Sequence, residues 1–209
     1  MKHIVLLGDS IFDNAAYVGN APDVVQQVRQ RLPYGSKATL KAVDGSTTED
    51  LREQLRRLPA DATHLIVSAG GNDALDSSDF LGTPARSTAE ALSRLADIAD
   101  EFERRYRGML AEVLAYELPT AICTVYYPRF PDVALQRIAI AGLAVFNDCI
   151  IRAAFAHGIP LLDLRFVCSE EGDYANPIEP SAQGGGKIAG AIAKLAERAF
   201  AGDRTEVFW

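Results

Sequence analysis

Short apolar runs alternate along the chain with longer segments in which apolar residues recur every three or four positions. The short runs fit strands buried on both faces and the longer segments fit helices that cover them, so the pattern predicts an α/β protein with a mostly parallel sheet. Five strands are expected, over residues 3–7, 38–43, 64–68, 120–125 and 160–162. Helices are expected over 22–32, 48–58, 87–116, 132–156 and 181–200. Pro22 suits a first helical turn, Thr47 or Thr48 a start and Gly158 a stop. Between 87 and 116, Leu92, Leu95, Ile98, Phe102, Tyr106, Met109, Leu110 and Val113 mark a core-facing stripe, with Glu101, Glu103, Arg104, Arg105 and Arg107 on the solvated side. Residues 76–87 read as a long loop beside the site, not a domain junction. No repeat or linker divides the chain, so its 209 residues are expected to form one domain.

Charge and cysteine usage narrow the partners. With 28 acidic against 21 basic side chains the formal net charge is -7, which leaves no broad cationic face for nucleic acid or anionic lipid. The cysteines Cys123, Cys149 and Cys168 have no C-x-x-C spacing, which argues against a disulfide framework and a zinc site. The few scattered histidines and cysteines make no metal set, and no cofactor is expected. The opening apolar stretch is too short for a secretory signal, and no apolar run approaches the ~18 residues that cross a bilayer. The expected setting is cytoplasmic, as a monomer or homodimer, without nucleic-acid or membrane partners. Gly184-Gly185-Gly186-Lys187-Ile188-Ala189 formally fits a dinucleotide loop, yet no strand leads into it and Ile188 stands where a phosphate loop needs Ser or Thr. It reads as tight packing of a helix start.

In doubly wound sheets ligands bind beyond the carboxyl ends of the strands. The loop after the first strand holds Gly8-Asp9-Ser10, which places a hydroxyl at the mouth of the sheet. The loop after the second holds Asp44-Gly45-Ser46-Thr47-Thr48, where the Gly45 amide can donate to a developing oxyanion. The third ends in Gly70-Gly71-Asn72-Asp73, with a side-chain amide donor beside compact backbone. Each piece alone is also an ordinary turn or cap; the three together, in the three loops that face a ligand, point to chemistry on an acyl group.

These blocks resemble the SGNH, or GDSL, family of esterases and lipases. Gly8-Asp9-Ser10 matches the nucleophile block, Gly45 the oxyanion glycine and Gly70-Gly71-Asn72-Asp73 the G-x-N-D block. The stretch from Asn176 to Gly185 is similar to the family's D-x-x-H-P-S-x-x-G pattern. The resemblance implies a flavodoxin-like three-layer α/β/α fold and hydrolysis of a small carboxylic ester through an acyl-serine. It makes Ser10 the nucleophile, with its own amide, the Gly45 amide and the Asn72 side chain as oxyanion hole.

The pattern departs at the base: Glu179 stands at the histidine and Asn176 at the aspartate. His3, His64 and His157 offer no substitute, because each stands before or at the start of its strand, at the opposite end of the sheet from Ser10. Two readings follow. In one, Glu179 takes the Ser10 proton, held by an amide hydrogen bond from Asn176, and turnover is slow because a carboxylate is the weaker base and becomes neutral, not cationic, on protonation. In the other, Glu179 stabilises the last helix as an acid near its N-terminus, and the crevice binds an acylated or glycosylated ligand without cleaving it. Asp173 is a lesser polar candidate, otherwise a solvated loop acid. Phe12, Phe80 and the segment Tyr126–Pro131, Tyr127 included, are candidate pocket walls. The terminal Val207-Phe208-Trp209 is expected to dock on the domain or on a second subunit.

Overall fold

The computed structural model describes residues 1–198 and 205–209. Its parallel strands are β1 (His3–Gly8), β2 (Lys37–Leu40), β3 (His64–Ser68), β4 (Thr120–Cys123), β5 (Leu161–Leu162) and β6 (Val207–Phe208), joined in the order β2-β1-β3-β4-β5-β6. The sheet therefore has six strands where five were expected. The extra one is the apolar terminus: Leu161 N donates to Glu206 O and Asp163 N to Phe208 O, and the Phe208 ring is buried in the core. The docking expected of this segment is on its own domain.

β1 shows why its sequence is a continuous apolar run. Ile4 and Leu6 enter one core layer, while Val5 and Leu7 enter the layer on the other face. Helices α1 (Val24–Arg31), α6 (Leu164–Val167) and α7 (Ala182–Glu197) cover the first face. Helices α2 (Leu51–Leu55), α4 (Thr88–Leu114) and α5 (Val133–His157) cover the second, and α3 (Gly71–Asp76) follows β3 directly at the edge of the site. The architecture is thus three layers, flavodoxin-like.

Local chemistry sets the helix ends. Asp23 caps α1 by accepting from Gln26 N, so the helix starts after Pro22 and not at it. Asp132 and Ser181 cap α5 and α7, and Gly158, left-handed at φ 63, stops α5. The segment expected as one helix from 48 begins with a 3-10 turn at Thr48–Asp50 before α2. The end of the last expected helix, at Phe200, lies outside the described residues. The loop expected at 76–87 carries a 3-10 turn, Ser78–Gly82.

α5 departs from the sequence expectation in another way: it is long and apolar enough to cross a membrane. In the fold it faces two apolar surroundings. Phe146, Cys149, Ile150, Ala153 and Ala154 pack into the core, while Leu135, Ile138, Ala139, Gly142 and Leu143 wall an open cleft. A helix with an amphipathic face on neither side reads as uniformly apolar.

Candidate active site

The strand order reverses between β1 and β3, and the chain leaving both strands opens at that switch point. Gly8 ends β1 with φ +128, and a Cβ there would lie 1.7 Å from the Ser68 carbonyl oxygen. Only glycine allows the two strand ends to approach this closely. Gln54 of α2 then pins Gly8: its Nε2 donates to Gly8 O at 2.8 Å and its Oε1 accepts from Gly8 N at 2.8 Å. Beyond the glycine, Phe12 N and Asp13 N both donate to Asp9 O at 3.1 Å, which winds the chain into a tight turn that carries Ser10.

The second and third loops are stapled to each other. Asn72 Nδ2 donates to Ser46 O at 2.9 Å, and Asp73 accepts from Thr48 N at 3.0 Å and from the Thr48 hydroxyl at 2.7 Å. Gln54 Nε2 also reaches Ser46 Oγ at 3.2 Å, so one side chain bridges the first and second loops. The loop before α7 brings up Glu179. Asn176 Oδ1 accepts from Ile178 N and Glu179 N, both at 2.9 Å; the Tyr126 hydroxyl donates to Ile178 O at 2.6 Å; and Asn14 Nδ2 donates to Pro180 O at 3.2 Å.

Ser10, Asn72 and Glu179 meet in the wall of one cleft of about 290 Å³, together with Asp9. Away from this polar end the cleft is apolar. Leu75, Phe80 and Leu81 form one side, Val125, Tyr126, Pro128 and Phe130 another, and α5 the third.

The Ser10 hydroxyl lies beside the Glu179 carboxyl, near enough to stabilise its charge. Burial raises the pKa of Glu179, the neighbouring Ser10 hydroxyl pulls it back down, and the Asp44 carboxylate of the second loop raises it again. Glu179 Oε2 is buried and takes no hydrogen bond among the described residues. Asp9 is pushed up to about 7: burial is the main cause, the Ile11 amide opposes it, and the negative charges of Glu179 and Asp73 add to it. The arrangement can therefore move a proton between a hydroxyl and a carboxylate beside an amide donor, at the end of an apolar slot.

Other expected site residues fall elsewhere. Gly45, at φ +82, is exposed with nothing within 4 Å of a Cβ position, so its amide is approachable, but it does not line the cleft. Asn176 is exposed and holds the backbone of Glu179, not its carboxylate as expected, because its carbonyl oxygen faces the two amides. Phe12 is no pocket wall: it is wholly buried in the core, turned inward by the turn after Asp9. Tyr127 is no wall either; its side chain lies near Arg165, and its neighbours Tyr126 and Pro128 line the cleft. Asp173 is not a solvated acid, since its buried carboxylate accepts from Lys187 at 2.8 Å and from Gln183 at 3.1 Å. That ion pair employs the lysine of the glycine-rich stretch, and Gly184 packs so tightly that a Cβ would lie 2.1 Å from Asp173 O.

The histidines stand at the far, amino end of the sheet. His3 is held by Asp61 and Thr39 at 2.9 and 2.8 Å, His64 pairs in register with Ile4, and His157 ends α5. Among the described residues no cluster of His, Cys, Asp and Glu could hold a metal ion. Three features were missed from sequence. Asp9 carried a signal, as an acid beside the proposed nucleophile; Gln54 and the α5 wall carried none.

A three-layer protein with a serine, a carboxamide and a carboxylate gathered at the switch point of a parallel sheet has the form of a serine-type hydrolase. Residues 6–185 match the model of the GDSL-like lipase/acylhydrolase family, and the chain belongs to that family. No curated protein matches its sequence. Solved structures similar in fold include a lipase/acylhydrolase from Enterococcus faecalis, with TM-score 0.67 and 18% identity over 94% of this chain and 96% of that one. An extracellular lipase from Streptomyces rimosus has TM-score 0.64 and 17% identity over 95% and 100% of the two chains. An acetylxylan esterase from Geobacillus stearothermophilus has TM-score 0.62 and 16% identity, covering 97% of each chain.

Proposed function

We propose that the protein cleaves a carboxylic ester through an acyl-serine intermediate, with Glu179 as the base in place of histidine. The observation that carries this reading is the placing of Ser10 and Glu179 together in the wall of the cleft, with the Ser10 hydroxyl near enough to the Glu179 carboxyl to stabilise its charge. Ser10 Oγ attacks the acyl carbon while its proton passes to Glu179. The carbonyl electron pair moves onto oxygen, which meets the Ser10 amide and Asn72 Nδ2, with the Gly45 amide of the second loop proposed as a third donor. The tetrahedral intermediate then releases the alcohol, which takes the proton from Glu179, and water repeats the sequence on the acyl-serine.

The apolar length of the cleft suits an ester whose acyl group is an apolar chain. Glutamate is about two pKa units less basic than histidine, and its burial recovers part of that deficit by raising the Glu179 pKa. Slow turnover is expected.

The test is hydrolysis of p-nitrophenyl acetate and butyrate by the wild-type chain, with Ser10→Ala as background and Glu179→Gln as the probe of the base. Ser10-dependent turnover, lost by at least about 100-fold in Glu179→Gln, supports the reading. Equal rates for wild type and Ser10→Ala would make the crevice a binding site without chemistry; a full rate in Glu179→Gln would leave the glutamate a structural acid.

A further inference from the structure

Asp9 is the one acid in the cleft for which the proposed reaction has no role. It sits between the strand end and the nucleophile, 3% exposed, and forms no ion pair among the described residues. Its Oδ1 accepts from Ile11 N at 3.1 Å and weakly from the Ser68 hydroxyl at 3.5 Å, and its Oδ2 faces Gly71, 3.6 Å from where a Cβ would stand. The groups that face it are acidic or weakly acidic: Glu179 from the loop before α7, Asp73 from α3, Cys123 from β4 and Tyr126 just beyond it. Among the described residues the cation that acts on this set is Arg105, and it acts on Asp73. A carboxylate in such surroundings has little to stabilise its charge, whereas a neutral carboxyl fits them.

We propose that Asp9 works in its protonated form, holding the charge of the Ser10 site at one negative unit throughout the reaction, and that alkali silences the site by removing this proton. The inference rests on the hydrolase reading above. In the resting site Glu179 carries the single charge. In the tetrahedral intermediate the Ser10 proton is on Glu179 and the ester carbonyl has become an oxyanion, so the charge is still one. On release of the alcohol the proton leaves Glu179, which is charged again. Asp9 keeps its proton at every step.

The requirement follows from the replaced base. A histidine would become cationic and offset the oxyanion, but a glutamate becomes neutral and offers no counter-charge. An ionised Asp9 would set a second negative charge beside the oxyanion in a water-poor cleft, where repulsion is strong. The pair divides its protons by environment: Glu179 has the Ser10 hydroxyl to stabilise its charge, and Asp9 is the more fully enclosed.

Two measurements test this. In the first, kcat/KM on p-nitrophenyl butyrate, corrected with Ser10→Ala, is followed from pH 5 to 9. The wild type should lose activity above an apparent pKa of about 7, by about tenfold per pH unit, and Asp9→Asn should remove this alkaline limb while keeping the acid limb of Glu179. A wild-type rate that stays level to pH 9 overturns the proposal. In the second, infrared spectroscopy of Ser10→Ala follows the protonated-carboxyl band, with Ser10→Ala/Glu179→Gln as partner. A band that titrates near pH 7 and persists when Glu179 is replaced supports the proton on Asp9; its absence from the double variant overturns it. This second measurement does not need Asp9→Asn to fold or any ester to turn over. A chain with no Ser10-dependent activity would sink the hydrolase reading, and the infrared titration would still decide where the proton lies.

Discussion

A proton held on Asp9 must also appear in the stability of the fold. The folded-state pKa of about 7 stands against 3.8 for the same side chain in water. Between those values the folded chain binds a proton that the unfolded chain has released, so stability falls as pH rises through this window. Asp9 therefore costs nothing below about pH 4 and its full penalty above about pH 7. Three pKa units at ~1.36 kcal/mol each put that penalty near 4 kcal/mol, a large part of a domain's ~5–15 kcal/mol. Asp9→Asn keeps the shape and removes the ionisation. Its neutral amide adds an offset, from altered hydrogen bonding, that does not change with pH.

The assay is urea unfolding of both proteins at half-unit steps from pH 4 to 8.5, read as the difference in unfolding free energy at each pH. Other carboxylates titrate in both proteins and cancel. The variant should gain on the wild type by up to about 4 kcal/mol across the window, with most of the change between pH 5 and 7. Because Glu179 contributes to the Asp9 shift, the same comparison in a Glu179→Gln background should give a smaller gain. A difference that is flat with pH to within about 1 kcal/mol would refute the argument that Asp9 is folded as a neutral acid.

Two further substitutions probe the frame and the pocket. Gln54→Leu leaves the buried N–H and C=O of Gly8 without their partners, and at ~1–3 kcal/mol per orphaned group the unfolding free energy in urea should drop by about 3 kcal/mol, with the Ser10-dependent rate falling too; an unchanged midpoint would show that this amide clamp matters little. Gly142→Leu adds a side chain on the α5 wall where nothing lies within 4 Å of the Cβ position, so the ratio of octanoyl to acetyl ester kcat/KM should fall at least about tenfold with acetyl turnover kept. An unaltered chain-length profile would place the acyl group elsewhere.

The place of the site was legible before its walls were. Parallel strands separated by helices force their carboxyl ends to one edge, so loops holding Ser10, Gly45 and Asn72 had to lie near one another whatever the side chains did. Which way a residue points within such a loop depends on one or two backbone torsions. Phe12 turns into the core because its own amide closes on Asp9 O, and Tyr126 and Tyr127 face opposite ways as neighbours leaving a strand do. β6 was missed because two residues carry no readable alternation, and α5 because a helix facing both core and cleft has no polar stripe between them.

That Glu179 stands where the family pattern has histidine was visible as a broken motif, but the consequence proposed for it was not, because it falls on a neighbouring residue whose letter fits the pattern. In a site with an imidazole, an aspartate beside the nucleophile can be ionised, since the cation formed during the reaction offsets it. With a carboxylate base that offset disappears, and an acid in the position of Asp9 adds either a proton or a second negative charge. Burial decides between them: the closer Asp9 is packed against Ser68, Gly71 and Ile11, the more firmly the proton stays. The enclosure that destabilises the fold above neutral pH is therefore the same enclosure that, in the proposed mechanism, keeps the site at one charge, and a substitution that opened it, such as Ser68→Gly, should relieve the first and damage the second together.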